Sequence, residues 1–569
     1  MLLLILFCVP QLHAQLTGWK YRDGINVHEN AGTQNVNYQV LLNINTAAMI
    51  SAGKMNNKGN DIRFSKDCAG ATLLNYFLDT NTINTINTEI WVELDTLKAS
   101  GNYLLYMWYG NGTAAAASNF NNTFPLSTQL IVPAGAVVVN GTNTYSWFEV
   151  QAGASVVVAP GTPCVINARK IKIAGTLNGD GAGYSGGQAS QNGSGPGAGK
   201  AGALLTPTNT SGGGGAYGGN GGRGTVAAGT NGDGGVANGN TTSIDMGSGG
   251  GGPVGSGAGA TDGNGGAAIT LHARSVEITG TVSVNGNIGT SINGAGYGGG
   301  GGAGGGVLLQ AHDVLLNGTI NAQGANGGDG AGGGGGGGGG RINLFSEIAF
   351  TPGTYNVGAG AAGITGNTAN AVGMAGSAGV VSTGTYSANE PTYTFVPHVI
   401  LSSSTTFPIC SGDNASFSAG TGFSNYIFYV DTSLKQNSAS NIFNTTTLAN
   451  NDVVFALVPD ANGCKDTSNK ITATVNGCTN VAKNRDAIIV ELYPNPVQSA
   501  LTITADVENA SDVKIMLCDM LGNTLRVIDQ TRLYGTYKKE IETSDLVSGI
   551  YFLTVKSGVH SLTKKFIKN

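Results

Sequence analysis

The sequence predicts an all-β protein of several domains, and three observations support this fold class. Short segments throughout the chain alternate polar and apolar residues at the period of a β-strand. Glycine and asparagine separate these segments at turn positions, and no stretch has a helical period of useful length. The chain has 569 residues, which corresponds to about three to five domains of ordinary size. We therefore expect β-sandwich and β-solenoid units in series.

Charge and composition exclude several classes of function. The formal net charge is −5 and only 11% of residues are charged, so the sequence offers no basic field for nucleic acid. Glycine is the outlier: 94 residues compare with about 40 at average usage. The excess lies in the middle of the chain and therefore indicates a local architecture.

The N-terminus is typical of a secretory signal peptide. Residues 1–14 combine a short apolar run with a small residue, Ala14, and this run is too short to span a bilayer. A buried N-terminal strand is the alternative. The sequence contains no run of about 20 apolar residues elsewhere, so it predicts export and no transmembrane segment.

Residues 15–120 are predicted to form the first domain. Segments 38–44, 60–64 and 89–94 are rich in β-branched and aromatic residues and alternate in polarity. This is a β-sandwich pattern.

The same domain resembles a family of extracellular bacterial domains of unknown function (DUF2341). The resemblance implies a concanavalin-like jelly roll and a lectin-like fold. Tyr76-Phe77 departs from the family's usual Tyr-Trp. The matching segments are residues 19–22, 37–41, 60–64, 76–77, 90–92 and 109–111.

Four aromatic residues of this domain could stack on sugar rings. Trp19, Trp108 and Tyr109 are the candidate ligand aromatics. Trp91 alternates with apolar neighbours and is expected in the core.

Residues 121–395 contain an internal repeat. Segments 168–177, 273–282 and 311–320 align, and a weaker copy runs from 345 to 354. Each copy has two short alternating strands joined at Gly-Thr. One such unit cannot bury its apolar face alone, whereas stacked units can. We therefore expect a glycine-rich parallel β-solenoid, a β-helix whose rungs are these strands.

Glycine tracts such as 212–222 and 332–340 separate the rungs. They have almost no side chains with which to bury apolar surface. We expect long flexible or loosely ordered loops. The alternative is packed polyglycine helices, which are feasible because glycine permits close backbone approach.

Residues 396–478 return to ordinary strand composition, with strands predicted at 426–430, 452–458 and 470–475. Segments 409–412, 448–452 and 462–464 resemble immunoglobulin-like repeats of secreted Bacteroidetes proteins. The resemblance implies an Ig-like sandwich with a Cys410–Cys464 disulfide, which export permits. Free thiols at 410, 464 and 478 are the alternative.

Residues 486–569 alternate at period two and predict a small antiparallel sandwich. The segment closely resembles the type A C-terminal sorting domain of the type IX (Por) secretion system. The resemblance implies recognition by the outer-membrane translocon, often followed by attachment to lipopolysaccharide. An ordinary terminal Ig-like domain is the alternative. The motif residues are Tyr493, Pro494, Asn495, Pro496, Gly522, Gly549, Tyr551, Lys564 and Lys565.

No residue set specifies a reaction. Residues 183–187 fit the pattern of a serine nucleophile elbow, but that elbow requires a strand before it and a helix after it. We therefore predict no catalytic residue and no cofactor. Calcium at glycine-flanked Asp180, Asp262 and Asp329 is an alternative to simple turn aspartates.

The leading functional hypothesis is a secreted, cell-surface adhesin that binds a carbohydrate or another surface. It is motivated by the lectin-like domain, the low-charge solenoid and the sorting signal. One alternative is a polysaccharide-degrading enzyme on a β-helix frame, and the other is a structural stalk.

Overall fold

The structure is a computed structural model. It describes residues 16–204, 209–225, 232–254, 263–292, 296–348, 353–365, 373–477, 489–557 and 560–569. The signal peptide predicted at 1–14 lies outside these residues. The described helices are short, and none of them is long and apolar enough to cross a membrane. They are α1 Thr46–Ser51, α2 Phe120–Thr123 and a 3₁₀ turn at Leu126–Thr128.

Strands dominate the rest, so the predicted all-β class is confirmed. The described residues form two compact units, one reaching to His398 and including Val458–Asp466, and the other made of Val399–Leu457 and Thr467–Asn569. The first strands are β1 Tyr21–His28, β2 Asn35–Ile44, β3 Arg63–Ser65, β4 Tyr76–Leu78, β5 Thr88–Leu97 and β6 Asn102–Tyr109. The repeat region contributes β7 Gln129–Val132, β8 Ala136–Val139, β9 Thr142–Thr144, β10 Trp147–Val150, β11 Ser155–Val158, β12 Cys164–Ile173, β13 Thr176–Asn178, β14 Ala268–Ile278, β15 Thr281–Ser283, β16 Gly306–Leu316, β17 Thr319–Asn321, β18 Arg341–Ser346, β19 Thr354–Asn356, β20 Val380–Thr385 and β21 Thr392–Phe395.

The N-terminal sandwich consists of two antiparallel sheets, ordered β21-β1-β6-β3 and β2-β5-β4. Alternate residues point inward, and Ile25, Leu42 and Phe64 are fully buried between the sheets. The edge strand β21 comes from far along the chain and pairs with β1. The sandwich therefore includes a strand that follows the repeat region in the sequence.

Two parallel sheets organise the repeat region. One is ordered β20-β18-β16-β14-β12-β10-β7 with β9 beside β12, and the other β19-β17-β15-β13-β11-β8. Ala168 pairs with Ala273 and Ala273 with Ala311, which is the register that the repeat alignment predicts. Ile171 and Leu271 are fully buried in the shared core. Glycine tracts, rather than a third sheet, complete each repeat in the described residues.

The glycine tracts are packed, so the expectation of loosely ordered loops is wrong for the described residues. Backbone N–H groups of residues 286, 289 and 292 donate to the carbonyls of 323, 326 and 329. Residues 324, 327 and 330 in turn donate to 358, 361 and 364. A hydrogen bond at every third residue matches the three residues per turn of a polyproline II-type helix. The packed alternative describes these tracts.

Close approach explains why these positions are glycine. A Cβ at Gly214, Gly300 or Gly338 would lie closer than 3.0 Å to a backbone carbonyl of a neighbouring tract. Gly300 also donates its N–H to Gly251 O at 2.8 Å while fully enclosed by other tracts. The interior of this bundle is thus made mostly of paired peptide groups, with few side chains such as Tyr217 among them.

The second unit contains two antiparallel β regions. In the first, Phe417, Phe428 and Ala456 are fully buried. In the second, two long strands, Ala500–Cys518 and Thr524–Glu542, pair along their lengths. Leu501, Leu553 and Phe566 form part of the core. The strands are β22 Leu401–Ser403, β23 Ile409–Cys410, β24 Ala415–Ala419, β25 Tyr426–Val430, β26 Ser433–Ser438, β27 Ile442–Thr445, β28 Val453–Pro459, β29 Lys465–Thr467, β30 Ile471–Thr472, β31 Val475–Asn476, β32 Ile489–Tyr493, β33 Ala500–Cys518, β34 Thr524–Glu542, β35 Gly549–Ser557 and β36 His560–Lys568.

The predicted Cys410–Cys464 disulfide is wrong. Cys464 is bonded to Cys68, with 5.8 Å between their Cα atoms. The reason is topological, because Cys464 lies on Val458–Asp466, which packs within the first unit, whereas Cys410 belongs to the second. Cys410 is itself disulfide-bonded. Cys164 and Cys518 are free and buried.

Candidate functional site

The predicted ligand aromatics do not form a stacking platform. Trp108 and Tyr109 are 1% and 6% exposed, so the prediction that they face a ligand is wrong. Trp108 donates its indole N–H to Ser65 Oγ at 2.8 Å, and the Arg22 guanidinium lies 5.5 Å from the Trp108 ring centre. Alternation along β6 places Trp108 on one side of the strand and Tyr109 on the other, and both sides are covered.

Trp19 has a structural role in this arrangement. Its ring packs with the buried cluster of Tyr106, Trp108 and Cys464, and its indole N–H donates to Asp61 O at 2.8 Å. Trp19 is therefore half-buried and packs over the cluster that contains Trp108. Trp91 is fully buried, which confirms its expected core position.

A polar cleft lies beside the Cys68–Cys464 disulfide. Its volume is about 970 Å³, and it opens to solvent. The disulfide fixes the two loops that form its walls, one following β3 and one ending in β29. Its lining residues are Lys66, Asp67, Cys68, Thr72, Asp95, Thr96, Lys98, Asn102, Tyr103, Leu104, Asn462 and Cys464.

Both carboxylates of the cleft are held in the charged form. Burial raises the pKa of Asp67, but hydrogen bonds from the backbone N–H groups of Ala71, Thr72 and Ala69 outweigh it, and the pKa falls below its ordinary value. For Asp95, burial is likewise outweighed, chiefly by a hydrogen bond from Lys66, and the pKa is lowered. The Lys66–Asp95 ion pair is about half exposed.

Asn102 and Tyr103 supply uncharged polar groups at the start of β6. The Asn102 side chain is exposed, and its Oδ1 lies 2.9 Å from His28 Nδ1. Burial, together with the neighbouring Asp95, raises the pKa of the Tyr103 hydroxyl. The cleft can thus offer amide, hydroxyl, ammonium and carboxylate groups to a polar ligand.

Sequence reasoning missed this cleft. Its charged and amide residues occupy turns and strand ends, where polar residues are expected in any fold. Asn462 and Cys464 join it through a disulfide that spans most of the chain. The spacing of residues along the sequence carries no signal for such a site.

Two of the three aspartates considered for calcium accept hydrogen bonds from other groups of the protein. Asp180 Oδ1 accepts hydrogen bonds from Ser283 Oγ and from the N–H of Asn285, each at 2.6 Å. Asp329 Oδ1 accepts from the N–H of Ile364 at 2.6 Å. Asp262 lies outside the described residues. In the described part of the chain no three His, Cys, Asp or Glu side chains converge as metal ligands would.

Several sorting-motif residues lie on β36, the last strand of the C-terminal module, or contact it. The Asn495 side chain bridges to β36 by donating to Lys565 O and accepting from the N–H of Ile567 at 2.8 Å. Tyr551 stacks on Phe566 with ring centres 5.8 Å apart. Lys564 and Lys565 are exposed on the last strand. Further members lie at turns and strand starts: Tyr493, Pro494 and Pro496 next to β32, Gly522 in the β33–β34 turn with a φ of +84°, and Gly549 at the start of β35.

This module matches the family model of the secretion system C-terminal sorting domain over residues 491–569. The module is a type IX sorting domain. The protein is therefore secreted through the type IX system to the cell surface or the extracellular space, and its sorting domain interacts with the secretion machinery.

The first domain matches the domain of unknown function DUF2341 over residues 58–129. No curated protein matches this chain. Among solved structures, fibronectin(III)-like modules of Clostridium thermocellum CbhA are 17% identical over 30% of this chain and 94% of theirs, with a TM-score of 0.14. Dimeric latent PorU from Porphyromonas gingivalis is 16% identical over 30% of this chain and 20% of its own, also with a TM-score of 0.14. The chain thus spans a fifth of PorU.

Proposed function

We propose that this exported protein is a surface-displayed binding protein whose N-terminal sandwich takes a carbohydrate in the cleft beside Cys68–Cys464. The observation that carries the proposal is the chemistry of the cleft. Asn102, Asn462 and Asp95 gather there with two lysines and Tyr103. Hydroxyl-rich ligands are recognised by such sets of fixed donors and acceptors.

The electrostatics of the cleft favour binding over hydrolysis. A glycosidase needs one protonated carboxylic acid and one carboxylate. Asp67 and Asp95 both have lowered pKa values, so both are ionised at neutral pH. The Asp67 oxygens are also occupied by backbone N–H groups. These features support a non-catalytic role for the cleft.

Glycan-array binding of the mature protein tests the proposal. We expect retention of a defined set of glycans, weakened about tenfold by Asn102→Ala and by Asp95→Asn, because each removes a hydrogen bond to the ligand. Asn87→Ala, an exposed asparagine outside the cleft, is the matched control and should bind normally. Equal binding by all variants, or hydrolysis of the retained glycans, would contradict the proposal.

A second role as a rigid spacer is favoured by the packing of the glycine tracts. Peptide groups paired at every third residue would resist extension and bending far more than a flexible linker.

We further propose that the exported protein is attached to lipopolysaccharide. In a host that lacks this lipopolysaccharide, the protein should then be released into the medium. On a gel it should run as a sharp band, without the smeared, slower-migrating bands of a protein linked to lipopolysaccharide.

A further inference from the structure

A regular row of hydroxyl groups crosses the second parallel sheet of the repeat region. Ser155 pairs with Thr176, Thr176 with Thr281, Thr281 with Thr319, and Thr319 with Thr354. We call these five residues the hydroxyl row. Two positions further along four of the strands lies a parallel amide row of Asn178, Ser283, Asn321 and Asn356.

Both rows face away from the core. The residues between them, Leu177, Val282 and Ile320, are fully buried. Because side chains alternate along a strand, the flanking residues must project from the opposite side of the sheet. Thr354 is exposed, and the other members of the hydroxyl row are half-buried, whereas Ser283 of the amide row is buried.

The hydroxyl row is free to bind an external ligand. Within the described residues, none of its five side-chain hydroxyls makes an intramolecular hydrogen bond. The amide row is partly connected internally, since Asn356 Nδ2 donates to Asn321 Oδ1 at 2.7 Å and Ser283 Oγ donates to Asp180. The amide row is therefore partly fixed by its own hydrogen bonds, whereas the hydroxyl row carries unused donors and acceptors.

The geometry of the two rows sets the kind of ligand. Adjacent strands place successive hydroxyls about 4.8 Å apart, and the rows are about 6.6 Å apart. None of the nine side chains carries a charge. The distance between adjacent strands is close to the length of one sugar residue in an extended β-linked polysaccharide chain.

We propose that this face binds an extended, neutral, β-linked polysaccharide of the cellulose or chitin type, with the chain crossing the strands and one sugar lying over each. The site is distinct from the cleft beside the disulfide and does not depend on it. Weak contacts repeated at each strand would add along the chain. Acidic polysaccharides would find no cation in either row to pair with.

Calorimetric titration of the full mature protein with cello- and chito-oligosaccharides tests the proposal. Affinity should rise with each sugar from the disaccharide to the pentasaccharide and then level off, because five strands carry the hydroxyl row. The double variant Thr281→Val/Thr319→Val should weaken pentasaccharide binding about tenfold through the loss of two hydrogen bonds. Valine keeps the shape and the strand preference of threonine.

The matched control is Thr270→Val on β14. Thr270 also lies on a parallel sheet, but its neighbours in register are Val165 and Leu308, so it belongs to no hydroxyl row. It should bind like the wild type. The proposal would be overturned if affinity did not depend on oligosaccharide length, or if Thr270→Val lost as much affinity as the double variant. It would also be overturned if the protein bound only acidic polysaccharides, or if the hydroxyl row adsorbed only to ice, whose surface also presents a regular array of hydrogen-bonding groups. The titration with oligosaccharides of increasing length uses the wild-type protein, so it tests the proposal even if the double variant fails to fold.

Discussion

The N-terminal sandwich and the glycine tracts of the repeat region both exclude water, but they use opposite parts of the chain. In the sandwich, side chains such as Leu42 and Phe64 fill the space between two sheets. In the glycine tracts, backbone N–H and carbonyl groups of neighbouring helices pair directly, and few side chains such as Tyr217 are buried among them. One region is held chiefly by apolar burial, the other chiefly by hydrogen bonds at close backbone distance.

The two regions therefore tolerate different substitutions. A sandwich core accepts another apolar side chain of similar volume. The glycine bundle has no room for even one carbon atom, because the neighbouring atoms are backbone carbonyls that cannot rotate away. The following predictions test this contrast, beginning with the largest expected effect.

Gly300→Ala should destabilise the repeat region by about 4 kcal/mol, near the upper end for a single substitution. The added Cβ would collide with the Gly213 carbonyl. Calorimetric unfolding of the mature protein measures the change. Gly112→Ala is the control, because a Cβ there meets nothing within 4 Å and the φ of Gly112 is not positive. Equal stability of the two variants would remove the contrast.

Leu42→Ala should destabilise the sandwich by about 3 kcal/mol, while Leu42→Met should cost less than about 1.5 kcal/mol. Leu42 is fully buried, so the first change leaves a cavity and the second nearly conserves the volume. Chemical denaturation followed by tryptophan fluorescence gives both values. If methionine were as damaging as alanine, the sandwich would be as intolerant as the glycine bundle.

The sequence predicts one region far better than the other. Alternation around Trp91 and the aligned repeats at Ala168, Ala273 and Ala311 predicts strands, burial and register, because a strand leaves a period-two pattern. The glycine tracts leave no pattern, since a residue without a side chain reports neither burial nor exposure. Their packing depends on which tract meets which, and this is decided by tertiary contacts.

The candidate binding site was predicted less well for a related reason. Trp108 is apolar with a polar tip, so its sequence pattern fits a stacking platform and a buried residue equally. Its burial depends on Arg22 and on the Cys68–Cys464 bond. The resemblance to immunoglobulin-like repeats implied Cys410 as the disulfide partner of Cys464. This partner is wrong because the segment Val458–Asp466, which carries Cys464, packs in the first unit.

Acid should weaken the repeat region. Burial raises the pKa of Asp313, but its interactions with the neighbouring His312 and with the charge of Arg274 outweigh this effect and lower the pKa to about 2. A lowered pKa in the folded state stabilises the fold above the ordinary value of 3.8, and this contribution of about 2 kcal/mol is lost as the pH falls through 2. Asp313→Asn should lack that part of the pH dependence in thermal melts between pH 4 and pH 2.

Alkali should weaken the sandwich by a smaller amount. Hydrogen bonds to Asp23 and Asp466 raise the pKa of His398 to about 10. A raised pKa stabilises the fold fully below the ordinary value of 6.5, and the contribution is lost as the pH rises through 10. The His398 side chain is 56% exposed, so solvent screening keeps the effect below about 1 kcal/mol. His398→Gln should flatten the decline in melting temperature between these two pH values, and an unchanged decline would assign it to other groups.

Amide hydrogen exchange of the mature protein, followed by mass spectrometry of peptides covering residues 284–292 and 322–340, tests the packing of the glycine tracts most directly. Packed helices predict exchange as slow as that of the buried strands β14 and β16, because their N–H groups donate to neighbouring tracts. Exchange at the rate of an unstructured peptide would show that the tracts are loose loops and would contradict the contrast between the two regions.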